Sequence, residues 1–322
     1  YDPGKVKNLG LDKYSNVQKE RLKFEEFSKK FPRKIFAGTN NEDSSGDYLW
    51  NTQRCYDCFN VTDSQDCRFV FDSRSVKKVQ DMNVFGTEQG AEYSYEVHEI
   101  GHGVRNIYFC AQVWVGCYNL FYSKLCLSSS HDLFGCVGMT HASYCILNKQ
   151  YSKEEYEKLA ARVIEHMKKT GEWGEFFSPK ISPYGYNETS AQEYYPLTKE
   201  QALAKGFKWK DEEIKTFEGE KAAFKDSITE VGDEITKQVL TCEITGKPFK
   251  ITQQELKFYK EMGIPIPHKH PDQRHKERMA MRNPRKLWER NCAKCSKEIK
   301  TSYSADMPDI VYCEECYLKE VY

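Results

Sequence analysis

Between residues 48 and 148 the apolar positions recur in short bursts and not at helical spacing. The bursts CYDCFNV, DCRFVFD, NIYFCAQ, CYNLFYS and DLFGCVG each join a Cys to Phe, Tyr, Leu or Val, with Asn, Asp, Ser or Gly between them and no Pro anywhere in the region. Cys117, Cys126, Cys136 and Cys145 follow one another at nine, ten and nine residues. A repeat this short cannot bury its own apolar face, but stacked neighbours can. The pattern predicts a Cys-rich parallel β-solenoid with about two such segments per coil. Free Cys packs as a small hydrophobe, so it suits a narrow interior beside aromatic rings. The middle stretch, SVKKVQDMNVFGTEQGAEYSYEVHEIGHGVRN, fits the repeat poorly, and an irregular antiparallel β domain is the competing fold.

The flanks change character. Residues 1–47 form a helical lead-in, in which SNVQKERLKFEEFSKKFP starts at Ser15 or Asn16 as cap and ends near Pro32. Residues 149–236 hold capping helices and a wrapped linker. Ser152 with Glu155 makes a capping box, Tyr156, Leu159, Val163 and Met167 supply an apolar stripe, and Gly171 stops the helix. Such a helix suits the open end of a solenoid. Thr198 with Gln201 opens a second helix, and the charged stretch KWKDEEIKTFEGEKAAFKD leads onward. Residues 237–322 complete the chain as a tandem zinc-ribbon-like module. The fold class is mainly β with α.

Composition narrows the reading. The 322 residues carry 48 basic and 48 acidic side chains, so only local charge argues for a partner. No run of eighteen apolar residues predicts a membrane span, and the first residues lack the apolar core of a signal peptide. A start without Met suggests a piece of a longer protein. Thirteen cysteines without a secretion signal point to a cytoplasmic chain with metal ligands and reduced buried thiols.

The strongest motif is Cys292, Cys295, Cys313 and Cys316, in the form C-x2-C-x17-C-x2-C. A two-residue gap lets both thiolates of a knuckle face one ion, and four soft donors suit tetrahedral Zn2+. Four protein ligands leave no place for water, so the zinc is expected to be structural. An iron–sulfur cluster is the minor alternative, and a redox pair lacks its βα context. Cys55, Cys58 and Cys67 offer another C-x2-C with no fourth donor in view, and read as inward-facing repeat thiols.

Upstream, CEITGKPFKITQQELKFYKEMGIPIPHKHPDQRHKER resembles the probable zinc-ribbon (treble-clef-like) domain of bacteria. Cys242, Gly246, Phe249, Glu255, Phe258, Tyr259, Pro271 and Arg274 stand where that motif expects them. Thr245 and Gln273 replace two of its cysteines, and His270 replaces a third. These departures leave two readings: a retained fold whose metal has been replaced by packing, or, as the alternative, a second zinc held by Cys242 and His270 with His268 as a third donor. The phrases FGCVGMTHASYCILNKQYSKEEY, YNETSAQEYYPLTKEQAL and RNPRKLWERNCAKC…VYCEECY also resemble a protein group of candidate-phyla (Patescibacteria-type) bacteria. That resemblance implies an architecture, with a further ribbon ahead of the repeat, and no reaction.

Between the two Cys elements, residues 269–290 carry eight positive and three negative side chains. Arg274, Arg278, Arg282, Arg285 and Lys286 would make a phosphate-contacting face if the stretch is helical, and Trp288 would stack on a base. The alternative is a solvated helix whose arginines tie the two ribbons together. His98, His102, His131 and His141 lie in the repeat among many acids, but no carboxylate pair stands out. The chain shows no phosphate loop, nucleophile elbow or dinucleotide fingerprint, and NET at 187–189 is a sequon by pattern only. The expected function is non-catalytic binding: a zinc protein presenting a β scaffold to nucleic acid. A protein-interaction scaffold is second, and an enzyme with a site in the repeat is third.

Overall fold

The computed structural model describes residues 9–211 and 222–321, without the side chains of 85–88. Part of the charged stretch before the terminal module lies outside these residues. In chain order, helix α1 (Tyr14–Ser28) leads to β1 (Arg33–Lys34) and then to the repeat strands. These are β2 (Gly38–Thr39), β3 (Gly46–Tyr56), β4 (Cys58–Ile100), β5 (Val104–Val113), β6 (Tyr118–Phe121), β7 (His131–Phe134) and β8 (Ser143–Ile146). Strand β9 (Lys149–Gln150) and helices α2 (Lys153–Thr170), α3 (Ala191–Tyr194) and α4 (Lys199–Ala204) follow. Next come β10 (Leu240–Thr241), β11 (Pro248–Phe249), α5 (Gln253–Met262) and α6 (Pro271–Ala280). The chain closes with β12 (Trp288–Asn291), β13 (Glu298–Thr301), β14 (Val311–Tyr312) and α7 (Glu314–Val321).

The repeat is a parallel β-solenoid, and its rhythm is a triplet. Buried side chains recur every third residue: Leu49, Thr52, Cys55, Cys58, Val61, Ser64, Cys67, Val70, Ser73, Val76, Val79 and Met82 are each at most 5% exposed. The residue before each has a positive φ, as at Tyr48, Asn51, Arg54, Asp57 and Asn60. Each left-handed step turns the chain, so one triplet makes one side of the coil. Gly46 pairs with Cys58 twelve residues on, which is four triplets per coil. Ala91 pairs with Val104, thirteen on, and His131 with Ser143, twelve on. The sequence-based estimate of two segments per coil is thus replaced by four shorter ones. The stretch 75–106 that fitted poorly is largely part of the same ladder, within β4 and β5.

Two features let side chains tolerate the corners. Asn and Asp adopt the left-handed region more readily than other residues with a Cβ. They also bond along the stack: Asn40 Nδ2 donates to Asn51 Oδ1 (3.1 Å), and Asn51 Nδ2 to Asp63 Oδ1 (2.8 Å). Elsewhere aromatic corners stack, as Phe109 does on Tyr122 with centroids 4.7 Å apart. Gly46 serves a close approach, because a Cβ there would sit 1.7 Å from Cys58 O.

The eight repeat cysteines are all free and buried. Their thiols bridge neighbouring coils: Cys117 Sγ donates to Cys126 O (3.6 Å), Cys126 Sγ to Cys136 O (3.7 Å), and Cys136 Sγ to Cys145 O (3.4 Å). Burial pushes the Cys126 thiol up to about 11 and raises Cys110, Cys117, Cys136 and Cys145 as well. These groups are packing thiols held in the unreactive form. The C-x2-C of Cys55 and Cys58 is one triplet of the repeat.

The last coils are covered. Strand β9 pairs antiparallel with β8. Helix α2 has the expected Ser152–Glu155 capping box and a left-handed Gly171 at its end. It lays Tyr156 and Ala160 on Phe134 and Ile146.

The chain divides into two compact units that interleave in sequence. The described residues of 1–32, 211–283 and 308–310 form one, and those of 33–210, 284–307 and 311–322 the other. The tandem module read at 237–322 therefore falls in two parts. Helix α1 belongs with the first ribbon-like element, to which Tyr14 Oη donates at Glu243 Oε1 (2.8 Å). Its N-cap is Lys13, without a side-chain cap bond, in place of the expected Ser15 or Asn16. Ser15 instead gives its N–H and hydroxyl to the Asp226 carboxylate, both at 2.8 Å, so a distant residue does the capping.

A coil held by inward triplets should respond to loss of one inward side chain. Leu120→Ala, at a site 0% exposed, is expected to cost about 2–5 kcal/mol in chemical denaturation. Val137→Ala, 53% exposed, should stay within about 0.5 kcal/mol.

Candidate metal centre

Cys292 follows β12 and Cys295 lies in the turn to β13, its antiparallel partner. The turn is tight: Cys292 N–H donates to Lys297 O (2.8 Å), and Ser296 N–H to Cys292 O (2.9 Å), with Ser296 at φ +60°. Cys313 stands immediately before α7 and Cys316 in its first turn, where Tyr317 N–H donates to Cys313 O (2.9 Å). One sulfur pair thus comes from a hairpin turn and the other from a helix start. The four sulfurs lie within 4.8 Å of one another, and Cys295 Sγ is 3.8 Å from Cys313 Sγ. They form no disulfide.

The electrostatics favour a cation at this point. Burial opposes ionisation of Cys292. The backbone N–H groups of Cys295, Cys313 and Lys294 aimed at its sulfur outweigh that effect and bring the thiol down to about 6. Its neighbours then resist a second charge: the nearby Cys313 sulfur holds the Cys316 thiol up at about 12. Four thiolates in one cage require a positive ion among them. Four sulfurs at this spacing fit a tetrahedral soft or borderline cation and leave no open ligand position. Among the described residues, these four form the single group of three or more His, Cys, Asp or Glu placed to share an ion.

The module is joined to the first coil of the solenoid. Strand β14 pairs in parallel with β1, and Thr301 Oγ1 donates to Ile35 O (2.6 Å). Asp47, 3% exposed, accepts the N–H groups of Ala37 (2.8 Å) and Tyr48 (2.9 Å) on one oxygen and the Ser302 hydroxyl on the other. Lys34 Nζ meets Glu314 Oε1 at 2.7 Å. These pinning residues carry no motif; the sole hint in the sequence is an acid at the inner edge of a strand.

The first ribbon-like element repeats the backbone of the second without its ligands. Cys242 N–H donates to Lys247 O (2.9 Å), Gly246 N–H to Cys242 O (2.9 Å), and Glu243 N–H to His268 O (3.1 Å). The terminal module matches these bonds fifty residues on at the hairpin, with Ala293 N–H donating to Val311 O (2.9 Å). His270 stands where Cys313 does, before a helix. Its Nδ1 accepts from Asp272 N–H (3.1 Å), and Gln273 Nε2 donates to Glu277 Oε1 (3.0 Å). His268 is sandwiched between Tyr14 and Phe224, with centroids at 3.6 and 4.1 Å. The structure thus gives His268, His270 and Gln273 packing and capping duties, and among the described residues brings Cys242 and His270 into no cluster of three donors.

The basic segment 269–290 is not one helix. It is α6, a turn through Asn283–Pro284, and strand β12, and it spans both compact units. Arg285 has a side chain 6% exposed. It pairs with Asp72, and its guanidinium lies 3.6 Å from the Tyr194 ring centroid and 5.0 Å from that of Phe71. This corrects the reading of Arg285 as a phosphate contact: the Pro284 turn buries it in a structural ion pair. Arg274 reaches Tyr259 Oη (3.4 Å) and is part-buried. Lys286 sits over the Trp288 ring at 5.2 Å. Arg278, Arg282 and Lys286 are exposed. His98, His102, His131 and His141 join no metal-ready cluster; His131 Nδ1 meets Asp132 Oδ2 at 2.7 Å. Neither a protein-family model nor a curated protein matches the chain.

A depressed thiol pKa stabilises the folded, ionised form fully above the unfolded value near 9 and loses that contribution as pH falls through about 6. Proton competition for the ligands adds to this. Elemental analysis should find one divalent ion per chain at neutral pH, released on acidification through about pH 6, and none in Cys313→Ser.

Proposed function

We propose that this chain is a non-catalytic zinc protein whose terminal treble-clef-like module caps a β-solenoid scaffold for a protein partner. The observation that carries this is the four-sulfur cage docked on the first coil through Thr301, Ser302 and β14. A closed sulfur shell holds structure and offers no position for substrate or water. Zinc is the natural occupant, since it takes four thiolates without a redox change. Thirteen free thiols, nearly all buried, suit a reducing compartment such as the cytoplasm. No helix among the described residues is long and apolar enough to cross a membrane. The resemblance to the zinc-ribbon group of candidate-phyla bacteria agrees with this reading.

The nucleic-acid alternative loses its continuous surface. The Arg285 side chain is 6% exposed, Arg274 is part-buried against Tyr259, and the segment is divided between two units. A protein partner fits the neutral overall charge and the long ordered surface of a solenoid better.

Two measurements test this. In the cobalt-loaded chain, adding azide should leave the visible absorption unchanged, because the shell is closed; a shift would indicate an open, catalytic position. Labelled single- and double-stranded oligonucleotides should show no binding that falls steeply between about 50 and 200 mM salt. Salt-steep binding that Arg278→Glu and Arg282→Glu abolish would replace the protein partner with nucleic acid.

A further inference from the structure

A groove of about 430 Å³ runs between α2 and the solenoid face formed by β5, β6 and β7. We propose that it binds a neutral, hydroxyl-rich ligand of mono- or disaccharide size. The volume lies within the range of small-molecule sites, which combine apolar walls with a few placed polar groups.

Its polar wall is a ladder. Asn106 Nδ2 donates to Asn119 Oδ1 (2.9 Å), and Asn119 Nδ2 to Asp132 Oδ1 (3.0 Å), one rung per coil. A carboxylate only accepts, so the ladder ends at Asp132, whose other oxygen meets His131. A primary amide has two N–H donors and two lone pairs, so each Asn keeps a donor and an acceptor after the ladder is made. The rungs repeat at about 4.8 Å, the spacing of paired strands. A ligand with one polar group would satisfy one rung; several hydroxyls in a row satisfy all three.

The opposite wall makes the case stronger. Tyr156 of α2, 7% exposed as a residue, lines this wall, and its hydroxyl, which makes no hydrogen bond among the described residues, is open to solvent. A phenol hydroxyl both donates and accepts, so a ligand hydroxyl can take the place of water there. Beside the ladder, Tyr108 and Phe121 stack face to face (5.1 Å, 12°). Phe121 stacks on Phe134 with its other face (6.0 Å, 19°), so along this row a ligand meets ring edges, whose positive C–H groups suit hydroxyl oxygens.

Charge sets the ligand class. No Lys, Arg or His lines the groove, so nothing there neutralises an anion, and Asp132 repels one. Asp132 is also the sole carboxylate in the lining, and glycoside hydrolysis ordinarily needs two. The groove therefore binds and does not cleave. It depends on residues 104–164 alone, so it stands whether or not the terminal cysteines hold a metal.

The test uses the full chain with maltose, cellobiose and N,N′-diacetylchitobiose, read by titration calorimetry and ligand-observed NMR. Saturable binding of at least one is expected, with the Asn106 and Asn119 side-chain amide signals moving on titration. Tyr156→Phe keeps the ring and removes the hydroxyl. Asn106→Gly keeps the positive φ and removes one rung. Each should weaken binding about five- to tenfold. The proposal is overturned if none of the three binds in the millimolar range, or if binding survives unchanged in both variants. Should either variant melt early, the amide shifts in the unaltered chain decide: movement elsewhere with these signals still also overturns it.

Discussion

The terminal module buries four main apolar side chains, Cys292, Ile299, Val311 and Cys313, and two of them belong to the four-sulfur cluster. A core that small cannot offset the conformational entropy of ordering the segment. A cation held by four thiolates can, since structural zinc contributes about 10–16 kcal/mol in small zinc-finger peptides. Strand β14, the Thr301 hydroxyl and the Ser302 contact to Asp47 join the module to the first coil.

The solenoid needs such a cover. Its coils satisfy one another through parallel backbone bonds, so the first and last coils would each present a bare edge, and bare edges recruit other chains. The last coil is closed by β9 and α2, held by ordinary packing of Tyr156 and Ala160. At the first coil the work falls to β1, β14 and the buried Asp47 carboxylate. One end is thus covered by apolar packing and the other by the module that carries the four-sulfur cluster. A partner surface built on the solenoid would then respond to metal supply at its first coils before its last.

Much of this was legible in the residues. Cysteine spacings of nine and ten gave the solenoid away, because nine residues are three triplets and ten are three triplets with one insertion. The triplet itself was hidden. Inward positions take Cys, Ser, Thr, Val and Met in turn, so no single residue type marks the period, and hydropathy alone does not show which residue adopts a positive φ. Ser152, Glu155 and Gly171 announced α2 because capping is local. Ser15 misled because its partner, Asp226, is more than two hundred residues away. The four terminal cysteines were legible because a chelating gap is a local property. Arg285 was not, since its burial depends on the long-range match to Asp72 and Tyr194. The Asn106–Asn119–Asp132 ladder needed the coil register before its members could be seen as neighbours.

The most direct measurement is hydrogen–deuterium exchange across residues 33–56 in the metal-loaded chain and after removal of the ion with a strong chelator. The amides of β1 and β3 should exchange slowly when loaded and speed up sharply without the ion, while those of β6 to β8 stay protected. Equal protection of the first coil in both states would show that the sulfur cage does not hold the end of the solenoid closed.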